Sequence, residues 1–309
     1  MSIPQEVRSH VSRIPALQGV SEDRITVERL GGLTNLNYLI DADGERFVMR
    51  LPGEGTEEYI DRTIEEHNAR VAERAGVNAE VVYFDTGDGL MVTRFIEGGD
   101  TMSPETFQTR PGAPKRAGEA FRQLHACGES FRFTFEMFSM IDEYLNVLQK
   151  ENAPLPDGYH DAVKEAEAVR EALDANPIAL KPCHCDPLTE NFIDDGRRMY
   201  ILDFEYSGMN DPFWDIGDLS VEAGLSAEQD LEMLRAYLGG EPSDGQYGRM
   251  VIYKAMSDLL WTLWGLIQYA HGNTVEDFWA YSTERFARCK ELMNRPEFSD
   301  HVRAVREKR

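Results

Sequence analysis

The sequence predicts an α+β chain in two lobes: a small β-rich lobe over residues 1–97 and a larger, mostly helical lobe over 98–309. Three observations carry this. The first hundred residues alternate short β-prone runs with turn residues and hold one helical stretch. Beyond Glu97-Gly98-Gly99-Asp100, a hinge-like break, apolar positions recur at helical spacing. A hairpin signal, Asp194-Asp195-Gly196-Arg197-Arg198, then interrupts the helical series.

In order, Ile25 to Arg29 reads as a strand leading into Gly31-Gly32-Leu33-Thr34-Asn35. Asn37 to Ile40 is a second strand, Asp41-Ala42-Asp43-Gly44 a turn, and Arg46 to Leu51 a third strand. Asp61 to Ala75 has helical composition, with Gly76 as its stop. Two more strands are expected around Glu80 to Phe84 and Leu90 to Phe95. Thr101 to Pro114 carries three prolines and reads as an irregular connection. Helices are expected at Lys115 to Cys127, Phe135 to Lys150, Tyr159 to Ala175, Ala227 to Leu238, Tyr247 to Tyr269 and Val275 to Asn294.

At 309 residues, 42% hydrophobic and 28% charged, the chain can bury a substantial core. Its net charge of -23 argues against a nucleic-acid partner, which rewards clustered Lys and Arg. No basic start followed by an apolar run suggests a signal peptide. Met250 to Ala270 is interrupted by Lys254, Ser257 and Asp258, so a core helix is expected there and not a membrane span. Cysteines at 127, 183, 185 and 289 form no disulfide framework, and a cytoplasmic chain is expected. Cys183-His184-Cys185 is dense in zinc-type ligands, but adjacent ligands do not match the spaced pairs of zinc sites.

The most specific signal is His184-Cys185-Asp186-Pro187-Leu188-Thr189-Glu190-Asn191-Phe192, followed after the hairpin by Ile201-Leu202-Asp203-Phe204-Glu205. Reading H-x-D-x-x-x-x-N and then a strand ending in Asp, it supplies a base, an amide ligand and a carboxylate ligand. These are the polar groups that phosphoryl transfer needs around a metal-bound nucleotide phosphate. Asp186 is placed to take a proton from a substrate hydroxyl. Asn191 and Asp203 are placed to hold Mg2+, a hard cation that prefers oxygen ligands.

With Ile201-Leu202-Asp203-Phe204-Glu205-Tyr206 running on through Asn210 to Asp215-Ile216-Gly217, the chain resembles the choline/ethanolamine kinase family, within the aminoglycoside phosphotransferase and protein kinase-like fold. The likeness runs from about Gly31 to Phe286. It implies two lobes with ATP between them and an amino-alcohol pocket in the helical lobe. Gly31, Gly32, Thr34 and Asn35 would form the loop over the phosphates, where free backbone N–H groups cradle anionic oxygens. Arg50 stands where kinases place the strand lysine, its planar fork suited to phosphate. Glu65 would pair with it, with Glu66 the neighbouring alternative. Phe95 and Glu97 would flank adenine through backbone groups. The resemblance makes His184 an orienting group, Asp186 the base and Asp215 a brace. The family often has Asn where this chain has Asp218, which leaves the contact from that position open.

Trp261 and Trp264 share a helix face, with Tyr281 on the next expected helix. By themselves, two tryptophans on an apolar face also read as core. A quaternary ammonium has no N–H to donate, so aromatic faces and diffuse negative charge must recognise it. The resemblance makes Trp261, Trp264 and Tyr281 such a pocket, with Glu222 the carboxylate beside it. Gly224 to Gln229 lacks the tyrosine of the family's animal members, so the cage is either more open or completed by Phe213, Trp214 or Phe278. The implied reaction is transfer of the γ-phosphoryl group of ATP to the hydroxyl of choline. Ethanolamine, thiamine or another small amino alcohol is the alternative acceptor, and an inactive binder of nucleotide or quaternary ammonium is an alternative of another class. Neither a membrane partner nor nucleic acid is expected, and a homodimer stays open.

Overall fold

The computed structural model describes residues 3–31, 35–53 and 60–308. After a short helix α1 (Gln5–Val11) come β1 (Ile25–Arg29), β2 (Leu36–Ala42), β3 (Glu45–Leu51), α2 (Arg62–Arg74), β4 (Val81–Phe84) and β5 (Met91–Arg94). The strands form one antiparallel sheet in the order β1-β2-β3-β5-β4. Strands β2 and β3 run to the very ends of their hairpin. The expected four-residue turn shrinks to Asp43-Gly44, both at positive φ (61° and 89°), as a two-residue hairpin of right-handed twist requires.

Side-chain alternation along β3 sends Phe47 and Met49 into a core shared with Ile3, Val7, Ile14 and Leu17 of the N-terminal segment. Arg50, between Met49 and Leu51, therefore faces the opposite way, toward α2. That helix starts where Asp61 accepts from the Thr63 and Ile64 N–H groups.

The larger lobe holds β6 (Asp100–Thr101), α3 (Pro104–Thr109), α4 (Ala113–His125), α5 (Met137–Lys150), α6 (Tyr159–Ala175), β7 (Lys181–Cys183), β8 (Phe192–Asp194), β9 (Met199–Ile201), β10 (Gly208–Asn210), α7 (Phe213–Glu222), α8 (Ala227–Leu238), α9 (Asp244–Ala270), α10 (Phe278–Met293) and α11 (Pro296–Glu307). Strand β6 pairs with β8 and β8 with β9, while β7 pairs with β10. Buried Asp194 of β8 is held by Arg116 (2.6 Å) and by Arg110 (3.3 Å), which also reaches Asp100 (2.7 Å). The strand leaving the hinge is thereby fastened to the hairpin.

Two expectations need correction. Thr101 to Pro114 is not irregular: Ser103 and Thr106 form a reciprocal capping box that starts α3, with Pro104 at its first position. The helices α1, α7 and α11 were not anticipated either. Helix α7 has no polar face to give it a helical period, because Phe213 through Val221 are all buried. It crosses α9 so closely that a Cβ at Gly217 would lie 2.7 Å from the Met250 carbonyl oxygen. Helix α9 has the length and apolarity of a membrane span, yet 83% of its most apolar stretch is buried inside the protein, as a core helix requires.

Candidate functional site

The loop between β7 and β8 is held from below by α7. The Asp215 carboxylate accepts the His184 N–H at 2.7 Å and the Cys185 N–H at 2.8 Å, and bonds the His125 ring at 3.0 Å. The Trp214 indole donates to the Cys185 carbonyl at 2.9 Å. These bonds hold Cys185 at φ 69°, a left-handed conformation costly for a side-chain-bearing residue. The His184 ring is buried, which lowers its pKa and keeps it neutral, and its one N–H donates from Nε2 to the Leu202 carbonyl at 2.7 Å. The hairpin returns the chain so that the Leu202 N–H bonds the Asn191 carbonyl at 2.8 Å. Asn191 donates its Nδ2 to the Asp186 carbonyl at 3.1 Å, which leaves Oδ1 for a ligand. Asp203 follows at φ 64°.

Facing this loop is a buried ionic cluster. Arg50 pairs with Glu65 and reaches Asp203 at 3.1 Å and Glu205 at 3.8 Å. Arg62 bonds Glu65 at 2.7 Å and Glu205 at 3.3 Å. Of the two neighbouring glutamates, Glu65 is the one turned to Arg50, whereas Glu66 pairs with Arg70 at 3.0 Å. Carboxylate oxygens of Glu65, Asp203 and Glu205 lie within 4.8 Å of one another. Burial and Asp203 push the Glu205 carboxyl up to about 7, despite Arg50 and Arg62. The Asp186 carboxyl rises too, through burial first and then Asp203, Glu222 and Glu205. A carboxylate set still short of positive charge after two arginines fits a hard dication, and Asp203, Glu205 and the Asn191 Oδ1 are the oxygens that could hold it.

The nucleotide-side residues are placed unevenly. Gly32 and Thr34 lie outside the described residues. Gly31 is exposed, and its carbonyl accepts from Asn37 at 3.1 Å. Asn35 is buried and bridges Glu205 (3.5 Å) and the Gly53 N–H (3.2 Å), so it fastens the loop's end to the ionic cluster. The Phe95 N–H already donates to the Arg46 carbonyl at 3.0 Å, leaving Phe95 only its carbonyl for a base. Arg46 also lies over the Phe95 ring (4.3 Å) and bonds Glu97 at 2.7 Å.

On the other side of Asp186 the aromatic residues converge. Trp264 makes edge contacts with Phe278 (ring centres 5.7 Å apart) and Tyr281 (5.9 Å), and its indole donates to the Tyr206 hydroxyl at 3.1 Å. Trp261 is more deeply buried, packs edge-on against Tyr206 at 5.7 Å, and donates its indole N–H to Asp218 at 3.1 Å. Of the three candidates to complete the cage, Phe278 joins it. Trp214 packs instead between Phe135 and Tyr253, and Phe213 against Tyr237. Glu222 is not a free carboxylate: Arg285 pairs with it at 2.6 Å and lies 4.6 Å over the Tyr281 ring. The roles of Glu205, Tyr206, Asp218 and Arg285 were not read from the sequence. Glu205 and Tyr206 sit inside the quoted motif, and Arg285 lies one helical turn from Tyr281, which are the signals that could have found them.

The Cys183-His184-Cys185 run does not assemble as a zinc site. Among the described residues, the second ligand-like grouping is His125, Cys183 and Asp215, whose His and Asp are occupied by the hydrogen bonds that hold the loop.

Comparison with known proteins agrees with this geometry. Residues 26–250 match the model of the phosphotransferase enzyme family. A solved choline/ethanolamine kinase family protein from Mesorhizobium loti is 57% identical, superposes with a TM-score of 0.89 and covers 98% of both chains. The choline kinase LicA of Streptococcus pneumoniae is 26% identical, with a TM-score of 0.79, over 94% of this chain and 99% of its own. Protein LicA of Haemophilus influenzae is 30% identical over 276 residues, 87% of this chain and 80% of its own. Arg50 paired with Glu65, an Asp215-braced loop and relatives over nearly the full length make this chain a member of the phosphotransferase enzyme family, in its choline/ethanolamine kinase branch, and an ATP-dependent kinase acting on a small amino alcohol.

Proposed function

We propose that the chain phosphorylates choline, giving phosphocholine, with Mg2+ as cofactor. One observation carries the choice of acceptor: Trp264, Phe278, Tyr281 and Tyr206 form a continuous aromatic wall whose neighbouring carboxylate, Glu222, is among the charges felt by Asp186. Aromatic faces suit a trimethylammonium group, which has no N–H to donate, and cation–π contacts contribute roughly 0.5–2 kcal/mol each.

The residues divide the work. Magnesium, held by Asn191 and Asp203 with Glu205 beside them, would supply positive charge at the phosphate oxygens. Asp186 accepts the proton of the substrate hydroxyl, and the burial that raises its carboxyl makes it a stronger base than an exposed aspartate. Arg50, kept in place by Glu65, offers its guanidinium fork to the nucleotide phosphates. Gly31 and Asn35 flank the loop expected over those phosphates, and the segment from Phe95 to Glu97 would receive the base. His184 and Asp215 set the loop so that Asp186 and Asn191 meet the reacting groups in fixed geometry.

ADP release in the presence of magnesium, compared for choline, ethanolamine, thiamine and no acceptor, tests this. Choline is expected to show the highest kcat/KM. A higher value for ethanolamine overturns the acceptor and keeps the kinase. That second reading has an observation of its own, since the open Oδ1 of Asp218 could take an N–H group that choline lacks.

A further inference from the structure

The acceptor end of the site contains five ionisable groups in one connected cluster. Arg285 pairs with Glu222 at 2.6 Å and with Asp258 at 3.2 Å, and Arg288 pairs with Asp258 at 2.5 Å. Asp218 lies one helical turn from Glu222 on α7, within reach of the same field. Two guanidinium groups thus face three carboxylates, and both guanidinium groups are bonded to Glu222 or Asp258.

Asp218 is 1% exposed. One of its oxygens accepts the Trp261 indole N–H, a neutral donor, at 3.1 Å. The other, Oδ1, is buried without a hydrogen-bond partner among the described residues. An uncompensated carboxylate in a dry interior is costly, and it persists where a ligand completes it. Burial and the nearby Glu222 push its carboxyl well above the usual range, against the pull of Arg285. The aromatic cage is its neighbour: Trp261, which holds Asp218, packs on Tyr206, and Tyr206 bonds Trp264.

We infer that Asp218 is a specificity-determining residue, the buried carboxyl whose open Oδ1 a cationic acceptor completes, while Glu222 serves chiefly to hold Arg285 against Tyr281. The charge would act through the indole and ring contacts on the ammonium group, over a short distance in low dielectric. This inference rests on the amino-alcohol kinase reading, and the test separates the two.

The variant is Asp218→Asn, whose amide oxygen still accepts the Trp261 N–H. Its kcat/KM is measured with choline and with 3,3-dimethylbutan-1-ol, the uncharged isostere in which carbon replaces nitrogen. Expected is a fall of about 10- to 100-fold for choline, carried by KM, with little change for the neutral alcohol. Equal losses for both would make Asp218 a packing residue and overturn the inference, as would no loss for either. Calorimetric binding of tetramethylammonium to the wild type and to Asp218→Asn reads the same contrast without turnover. A wild type that binds this ion but does not phosphorylate choline refutes the choline reading and leaves Asp218 its role. Equal affinity in both proteins removes that role whatever the acceptor proves to be.

Discussion

The two ends of the candidate site carry the same balance of charge in different surroundings. At the nucleotide end, Arg50 and Arg62 face Glu65, Asp203 and Glu205. At the acceptor end, Arg285 and Arg288 face Asp218, Glu222 and Asp258. Each has one carboxylate more than its arginines balance. The carboxylate best placed to meet the cleft at the nucleotide end is Asp203, whose side chain is 30% exposed, so a dication could keep some of its water there. At the acceptor end Asp218 is 1% exposed beside an indole, so on the inference above only a cation that sheds its water readily would complete it. On the function proposed above, the same arithmetic would serve a hard metal ion in one place and an organic ammonium in the other.

Asp186 lies between the two clusters and feels both, through Asp203 on one side and Glu222 on the other. Replacing it with Asn breaks the link. Expected is a fall in kcat of about 10²–10⁴ with the melting temperature nearly kept, and a folded variant with a tenth of the activity would remove Asp186 from the chemistry. Glu65→Gln tests the nucleotide end alone. It leaves Arg50 and Arg62 without their shared buried partner, so urea unfolding should show a loss of about 3–5 kcal/mol. A loss below about 1 kcal/mol would mean that the cluster resembles a surface pair.

Trp264→Ala tests the acceptor end. The KM for choline should rise about two- to thirty-fold while the KM for ATP stays level, and a joint rise in both would show that the two ends are not separable. The smallest effect belongs to neither cluster. Arg74 pairs with Glu129 at 2.5 Å, but both side chains are about half exposed. Arg74→Ala should change stability by only about 0–1 kcal/mol, which sets the scale for the buried pairs.

Local patterns were legible. Tyr159 to Ala175 and Ala227 to Leu238 are helices at the bounds that composition suggests, because each carries an apolar stripe and a stop. The hairpin after Asn191 was legible through Asp195-Gly196, and its return explains why Asp203 stands beside Asn191. Helix α7 was not legible, since a helix buried on every side has no period to read. Nor was the difference between Trp261 and Trp264. They share one face of α9, but Asp218 takes the indole of the first and Tyr206 that of the second.

By itself, the sequence determined the order of the chemical groups: the Asp186 carboxyl, the Asn191 amide, the Asp203 carboxyl and the aromatic pair Trp261 and Trp264. These spacings are local, and a loop or a helical turn enforces them. The tertiary structure alone decided which charges are balanced. Arg50 meets Asp203 across 153 residues, Asp218 meets Trp261 across 43, and Arg285 is shared between Glu222 and Asp258. Compensation depends on distance and on exclusion of water, and both come into being only when the chain is packed.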